Sequence, residues 1–252
     1  MVTTDIARAR LADIRAAITL LTRLPLPPDP APRGAAAAWA WPIAGAIVGA
    51  IAGSVAVLLQ GLSVPAGISA ASVLAIQAVL TGAMHEDGLA DTADGFWGGW
   101  TVARRLAIMK DSAIGTYGVQ ALILITLIRW AALAALLATD HGFFLVVAAA
   151  ALSRAPMACI QALLPNARGS GLSSAVGRPT RSIALAGSGV ALLLALPGLG
   201  FGVLIAALGV ATVTAGVIVL AKAKIGGQTG DVLGASQQLS DALVLTIAAS
   251  LA

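Results

Sequence analysis

The chain has 252 residues, of which 59% are hydrophobic and only 10% are charged, and its formal net charge is +4. Few water-soluble domains have this composition, and apolar stretches of about 20 residues are typical of membrane-spanning helices. The single cysteine, Cys159, excludes a disulfide framework or a cysteine metal site within one chain. We therefore expect an all-α, polytopic integral membrane helix bundle, whose basic residues reflect membrane orientation and not nucleic-acid binding.

The N-terminal region, residues 1–34, is predicted to form an interfacial helix followed by a proline-rich connector. Residues 5–24 place apolar side chains at helical spacing among basic ones, which is typical of an amphipathic helix on a membrane surface. The basic residues are Arg8, Arg10, Arg15 and Arg23. Five prolines from Pro25 to Pro32 end this helix and stiffen the connector. A solvated tail is the alternative interpretation.

Seven further apolar stretches are candidates for membrane spans. They cover approximately residues 39–59, 65–84, 119–138, 142–164, 182–196, 201–221 and 232–252. The first carries Gly45, Gly49 and Gly53 at four-residue spacing, a pattern that allows helices to approach closely. The last contains two glutamines and Asp241 in its first half, which leaves open whether it spans the membrane completely. The segment 96–118 is too polar to span and is expected to lie along the surface or to cap the site.

Threading these spans predicts one membrane domain, residues 1–252, with all its polar motifs on one side. The N-terminus and the segments 85–118, 165–181 and 222–231 share that side. Of the fifteen lysines and arginines, thirteen fall there, Arg129 and Arg154 fall within spans, and none falls on the opposite side. By the positive-inside rule the basic side is cytoplasmic. The sequence therefore predicts a cytoplasmic active face, formed by those three segments.

The second span leads into an acidic motif, His85 to Gly95, which holds four of the chain's eleven acids. On a helix, Asp87, Asp91 and Asp94 are separated by four and three residues, so their carboxylates share one face. Their mutual repulsion favours a bound divalent cation, and oxygen ligands favour Mg²⁺, Mn²⁺ or Ca²⁺ over zinc. A hydrated acidic loop is the alternative. His85 is a candidate proton acceptor or outer partner of such a metal.

A second motif, the glycine-rich segment 226–231, ends in Asp231, which is the natural fourth carboxylate from a remote part of the chain. Glycines expose backbone N–H groups that can bind phosphate oxygens, although the Gly-Lys-Ser/Thr ending of a P-loop is missing. Lys110 and its neighbour Asp111 are candidates for substrate or phosphate contact, and Arg104 for either such contact or membrane anchoring.

The two basic residues within spans need separate explanations, because a charge inside the bilayer is costly. Arg154 is expected either to bind phosphate or to pair with a buried aspartate, and Arg129 to form a structural pair or to snorkel. A metal, basic residues and a glycine-rich turn on one membrane face together favour an enzyme that handles a diphosphate or nucleotide-activated substrate.

Five segments, in order over nearly the whole chain, closely resemble the cobalamin synthase family, the adenosylcobinamide-GDP ribazoletransferases. The segments are residues 21–25, 85–95, 108–118, 153–154 and 226–235. The resemblance implies a Mg²⁺-dependent enzyme of the bacterial inner membrane that acts late in vitamin B12 assembly. A ribose hydroxyl of α-ribazole, or of its 5′-phosphate, would attack the phosphate of adenosylcobinamide-GDP. GMP would leave, and adenosylcobalamin or its 5′-phosphate would form.

The resemblance maps the family's acidic motif onto Asp87, Asp91 and Asp94, and its late glycine-rich motif onto Asp231. We assign these four residues to the metal and Asp91, Asp94 and His85 to catalysis; either His85 or a metal-bound hydroxide could be the base. The residues assigned to substrate are Arg104, Lys110, Asp111, Arg154, Gln228, Thr229 and Gly230. Glu86 is not counted as a primary ligand.

The expected partners are adenosylcobinamide-GDP, α-ribazole or its 5′-phosphate, and membrane lipid. A homo-oligomer and docking of other late cobalamin enzymes remain open. One alternative function is that of a CDP-alcohol phosphotransferase, but Trp97-Gly98-Gly99 follows the acids here where that pattern requires Ala-Arg. The other is a cation transporter, which would place its acids near the bilayer midplane on inverted repeats.

Overall fold

The computed structural model describes residues 2–27, 33–139 and 141–251, and side chains from residue 10 onward. Three of the connector prolines, Pro28, Pro30 and Pro32, and the side chain of Arg8 lie outside this part of the chain. Within it the structure has no β-strand. Its first helices are α1 (Val2–Leu21), α2 (Trp41–Gly61), α3 (Ala66–Thr81), α4 (Met84–Gly98), α5 (Val102–Ile108) and α6 (Thr116–Leu136). The later ones are α7 (Gly142–Leu152), α8 (Ala155–Leu163), α9 (Leu172–Val176), α10 (Arg181–Leu199), α11 (Val203–Ile225) and α12 (Gly230–Leu251).

The described residues confirm an all-α, polytopic membrane bundle. Five helical stretches are long and apolar enough to cross a bilayer, and α3 with α4 makes a sixth if that bent pair counts as one span. The longest stretch, 45 residues, contains both α10 and α11. Gly187 near the start of α10 approaches Trp39, whereas Gly198 near its end approaches Phe144 at the opposite end of the bundle. α10 ends at Leu199, and Gly200 follows it with φ 50°. α11 then runs back through the bundle beside α12, with Gly202 next to Leu251 and Gly209 next to Leu243, so this stretch crosses the bundle twice.

The small residues of α2 allow its close packing against α7. A Cβ on Gly49 would lie 2.8 Å from the Cβ of Ala150, and one on Gly53 would lie 3.0 Å from the ring of Phe143. A Cβ on Gly45 would come closer still to the backbone oxygen of Ala150. The four-residue glycine spacing therefore does what its pattern predicted: it brings two helix backbones together in the centre of the bundle.

The fourth predicted span is divided into two helices. The chain leaves α7 at Ser153 and Arg154 and starts α8 at Ala155, with Pro156 in the first turn of the new helix. Proline lacks the N–H that would continue the α7 hydrogen-bond pattern, which accounts for a helix start at this position. The break places Arg154 deep inside the bundle, where it is 4% exposed.

The last predicted span, α12, is buried in the bundle over most of its length. It is a candidate membrane span of 22 residues, and Gln237, Gln238 and Asp241 are each 1% exposed. These polar side chains face other helices and bond to them, so they do not mark a partly solvated helix.

Candidate active site

A sharp bend positions the acidic motif. Gly82 ends α3 in the left-handed conformation (φ 65°), Ala83 follows it with φ 54°, and α4 then starts at 89° to α3. The bend lays α4 across the end of α3 instead of continuing the span. The acids therefore lie at one face of the bundle, where they avoid the cost of charges at the bilayer centre.

Two glycines bring the acidic helix α4 against the start of α12. A Cβ on Gly88 would lie 2.8 Å from the backbone oxygen of Asp231, and one on Gly234 would lie 3.2 Å from the Cα of His85. Only residues without side chains allow this backbone approach. As a result Asp231 and Asp87, which are far apart in sequence, line the same cavity.

The charges of this cluster are not fully compensated. Burial, together with the carboxylates of Asp231 and Asp87, raises the pKa of Asp91 to about 7, while Arg168 acts in the opposite direction. Asp94 contributes a smaller repulsion. A cation bound nearby would offset the negative charge around Asp91 and favour its ionised form.

Asp94 holds the start of α6 against α4. It is 7% exposed, and its two carboxylate oxygens accept hydrogen bonds from the backbone N–H groups of Gly115 at 2.7 Å and Gly118 at 2.9 Å. Each of these oxygens keeps a second lone pair that could bind a metal. The assignment of Asp94 to the metal and to catalysis therefore remains a prediction. The bonds show that this residue also has a structural role that its position in the motif did not indicate.

The glycine-rich turn is joined to the loop that follows α8. The N–H of Gln228 donates to the oxygen of Pro165 at 2.9 Å, and the N–H of Ala167 donates to the oxygen of Gln228 at 2.8 Å. The N–H of Gly226 also donates, to the oxygen of Lys222 at 3.1 Å, so two N–H groups of the predicted phosphate-binding turn are already used within the protein. Thr229 donates through its hydroxyl to the Asp231 carboxylate at 3.2 Å.

The same loop supplies Arg168, a functional candidate that the sequence analysis missed. Its Nη2 donates to the carboxylate of Asp231 at 2.9 Å, and its Nε has no hydrogen-bond partner among the described residues. Asn166 fixes the loop by accepting the N–H groups of Arg168 and Gly169 at 3.0 and 2.7 Å. The only sequence signal was one arginine in a polar loop on the basic side, and several other arginines share that property.

The cavity beside these residues has a volume of about 150 Å³. Its polar lining includes His85, Asp87, Arg168 and Asp231 together with the backbone of Gly230. Its lining of apolar side chains with a few polar groups is that of a site for a small organic ligand. The structure therefore brings together residues from the acidic motif, the glycine-rich turn and the loop after α8.

Other predicted substrate residues lie elsewhere. Arg104, Lys110 and Asp111 are exposed on the segment between α4 and α6, and they do not line the cavity. Arg154 lies below it, donating through Nη1 to the oxygen of Ala150 at 2.8 Å. Contact of these four residues with substrate remains a prediction.

A buried polar network centred on Arg129 lies beneath the cavity. The guanidinium donates to Asp241 at 2.9 Å, to Gln238 at 2.7 Å and to Gln77 at 2.7 Å, and lies 3.5 Å from Glu86. The structural pair expected for Arg129 is thus present, and Glu86 points into the bundle. The polar residues of the last span were the sequence signal for this network, but their partners on other helices could not be read from it.

The chemistry of this site fits Mg²⁺. Within residues 2–27, 33–139 and 141–251, no three Asp, Glu, His or Cys side chains are arranged closely enough to hold a metal by themselves. Mg²⁺ at phosphate-processing sites, however, is usually bound by one or two carboxylates together with substrate phosphates. Asp87, Asp91 and Asp231 supply such oxygens, and burial together with the neighbouring carboxylates raises the pKa of Asp91.

Comparison with known proteins agrees with this geometry. A protein-family model described as cobalamin-5-phosphate synthase matches residues 13–249. A protein of Mesorhizobium japonicum, named adenosylcobinamide-GDP ribazoletransferase, is 43% identical over 96% of this chain and 94% of its own length. Proteins with the same name from Bradyrhizobium diazoefficiens and Azorhizobium caulinodans are 43% and 41% identical, over 98% and 92% of this chain and 96% and 92% of their own lengths. No solved structure matches the chain.

The family model covers both motifs of the site and all of the spanning helices up to the last two residues of α12. The chain therefore belongs to the cobalamin-5-phosphate synthase family.

Proposed function

We propose that this protein transfers the adenosylcobinamide phosphate moiety of adenosylcobinamide-GDP to α-ribazole or its 5′-phosphate, in a Mg²⁺-dependent reaction at a membrane face. Family membership supports late cobalamin biosynthesis by ribazole transfer. The observation that carries the proposal is the convergence of Asp87 and Asp231, which are far apart in sequence, in the lining of one cavity.

The reaction replaces a phosphoanhydride bond by a phosphodiester bond. The oxygen of a ribose hydroxyl forms a bond to the phosphorus attached to cobinamide, and the bond from that phosphorus to the GMP oxygen breaks. The hydroxyl proton is lost to a base, and GMP departs with the bonding electron pair. The products are adenosylcobalamin, or its 5′-phosphate, and GMP.

The residues at the cavity have different roles in this reaction, according to where they lie. Asp87, Asp91 and Asp231 would hold Mg²⁺, which when bound neutralises diphosphate charge and stabilises the charge that develops on the leaving group. Arg168 lies next to Asp231 and can donate to a phosphate oxygen through its unused Nε. His85 lines the cavity with both ring nitrogens unpartnered among the described residues, so it can accept the ribose proton.

We further propose that the protein lies in a bacterial inner membrane with this site on the cytoplasmic face. The lysines and arginines outside the spans, Arg168 among them, fall on the side of the bundle that carries α4 and the start of α12. The positive-inside rule places such a side in the cytoplasm.

The test is GMP release by the purified protein in lipid vesicles. We expect release only when adenosylcobinamide-GDP, α-ribazole and Mg²⁺ are all present, loss on chelation with EDTA, and recovery on adding Mg²⁺. Activity that persists in EDTA would refute the metal dependence. If no GMP is released with all components present, the proposed transfer is wrong. A cation transporter would give that result.

A further inference from the structure

The cavity of about 150 Å³ has two chemically different ends, because its charged side chains group around Asp231 and most of its apolar ones belong to one buried cluster. The charged end, with Asp87, Arg168 and Asp231, is accounted for by the metal and the phosphates. The other end is apolar and is built from six helices, α1, α2, α4, α8, α9 and α12. Its side chains are Leu20, Leu21, Trp41, Met84, Met157, Leu172, Val176 and Leu233. The transfer chemistry does not require this apolar lining.

Two buried polar side chains of the cavity lining have unused hydrogen-bonding atoms. Gln161 is 1% exposed; its amide nitrogen donates to the oxygens of Ser173 and Gly177 at 2.9 and 2.6 Å, but its Oε1 has no partner among the described residues. His85 is also 1% exposed, and neither ring nitrogen has a partner there. Buried polar atoms are normally paired, so these atoms mark where polar groups of a ligand would sit.

The two nucleosides of the reaction make different demands on such a cavity. Guanine carries hydrogen-bonding groups on all its edges, and an apolar wall would leave most of them unpaired, which is costly. The benzimidazole of α-ribazole has a benzo ring without hydrogen-bonding groups, whereas its ribose carries hydroxyls. A ligand with an apolar flat base and a polar sugar matches both ends.

We propose that the apolar end of this cavity binds the benzimidazole base of α-ribazole, so that its ribose lies between His85 and the carboxylates. The proposal rests on the proposed function, because that function supplies the identity of the nucleoside. Trp41 and Met157 offer the aromatic and thioether surfaces that flat rings prefer. The ribose hydroxyl is thereby presented at the charged end.

The experiment uses steady-state kinetics of GMP release with Leu172→Gln and Leu20→Gln. Leu172 is half-exposed on the short helix α9 and Leu20 is only partly buried on α1, so neither change places a polar group at a fully buried position. Leu26→Gln is the matched control, because Leu26 is exposed and outside the cavity. We expect the KM for α-ribazole to rise about tenfold in both cavity variants, with the KM for adenosylcobinamide-GDP unchanged.

Equilibrium dialysis of 5,6-dimethylbenzimidazole against the purified full-length protein separates this proposal from the proposed function. If the wild type binds the base, and both cavity variants lose that binding while Leu26→Gln keeps it, the subsite stands even if no GMP is released. If GMP is released but the variants raise the KM for adenosylcobinamide-GDP instead, the cavity holds the other nucleoside and our proposal is wrong. Unchanged KM values for both substrates would overturn it equally.

Discussion

Replacing Gly88 by alanine tests whether the contact between α4 and α12 sets the geometry of the site. The new Cβ would lie 2.8 Å from the backbone oxygen of Asp231 and 3.0 Å from its Cα. An ordinary contact needs about 3.4 Å, so the two helices must separate by roughly 0.6 Å (about 3.4 minus 2.8 Å). Neither atom belongs to a flexible side chain, so the backbones themselves have to move.

The expected result is a loss of activity that exceeds the loss of stability. Overpacking of this kind costs about 1–3 kcal/mol of stability. A displacement approaching 1 Å between reacting groups costs about 100-fold in rate. Because the expected displacement is smaller than 1 Å, we expect kcat for GMP release to fall by roughly ten- to 100-fold. The protein should still insert into the membrane and be purified.

The matched control is Gly189→Ala on α10, where an added Cβ meets no atom within 4 Å. This variant should keep full activity and gain a few tenths to about 1 kcal/mol of stability, because alanine favours the helix. If Gly88→Ala retains activity within twofold of the wild type, the close approach does not position Asp231, and the reasoning from the glycine contacts fails.

Three further changes test other parts of the structure. Arg129→Met leaves Asp241 buried without its cation, so the free energy of unfolding should fall by about 3–5 kcal/mol; an apparent Tm in detergent within 2 °C of the wild type would contradict this. Asp91→Asn should abolish GMP release while insertion and expression remain normal, and normal turnover would remove Asp91 from the metal set. Alanine at both Gly45 and Gly49 should lower Tm through the α2–α7 contact without altering the Mg²⁺ concentration needed for half-maximal activity, and a shifted requirement would show that this contact reaches the site.

The sequence predicts most of the helices because long apolar stretches leave little choice in a bilayer. The expected span 65–84 corresponds to α3, and 119–138 corresponds to α6, with ends that differ by a few residues. The acidic motif is helical, as its spacing indicated. These features depend on local composition and periodicity, which a single sequence contains.

Other features depend on contacts between remote segments and could not be predicted in this way. The 89° bend at Gly82 and Ala83 results from two left-handed residues, of which the alanine gives no signal. Asp94 appeared equivalent to its neighbours in the motif, but it is bonded to two backbone amides of α6. Arg168 becomes a candidate only when its loop is seen beside Asp231.

The network around Arg129 also has a consequence for biogenesis. This guanidinium is satisfied by side chains of α3, α4 and α12, and α12 leaves the ribosome well after α6, with five helices between them. Until α12 arrives, α6 carries an arginine whose strongest acceptors have not yet been synthesised. The nascent protein must therefore be held by the insertion machinery, or must shield that charge with water, until α12 docks against α6.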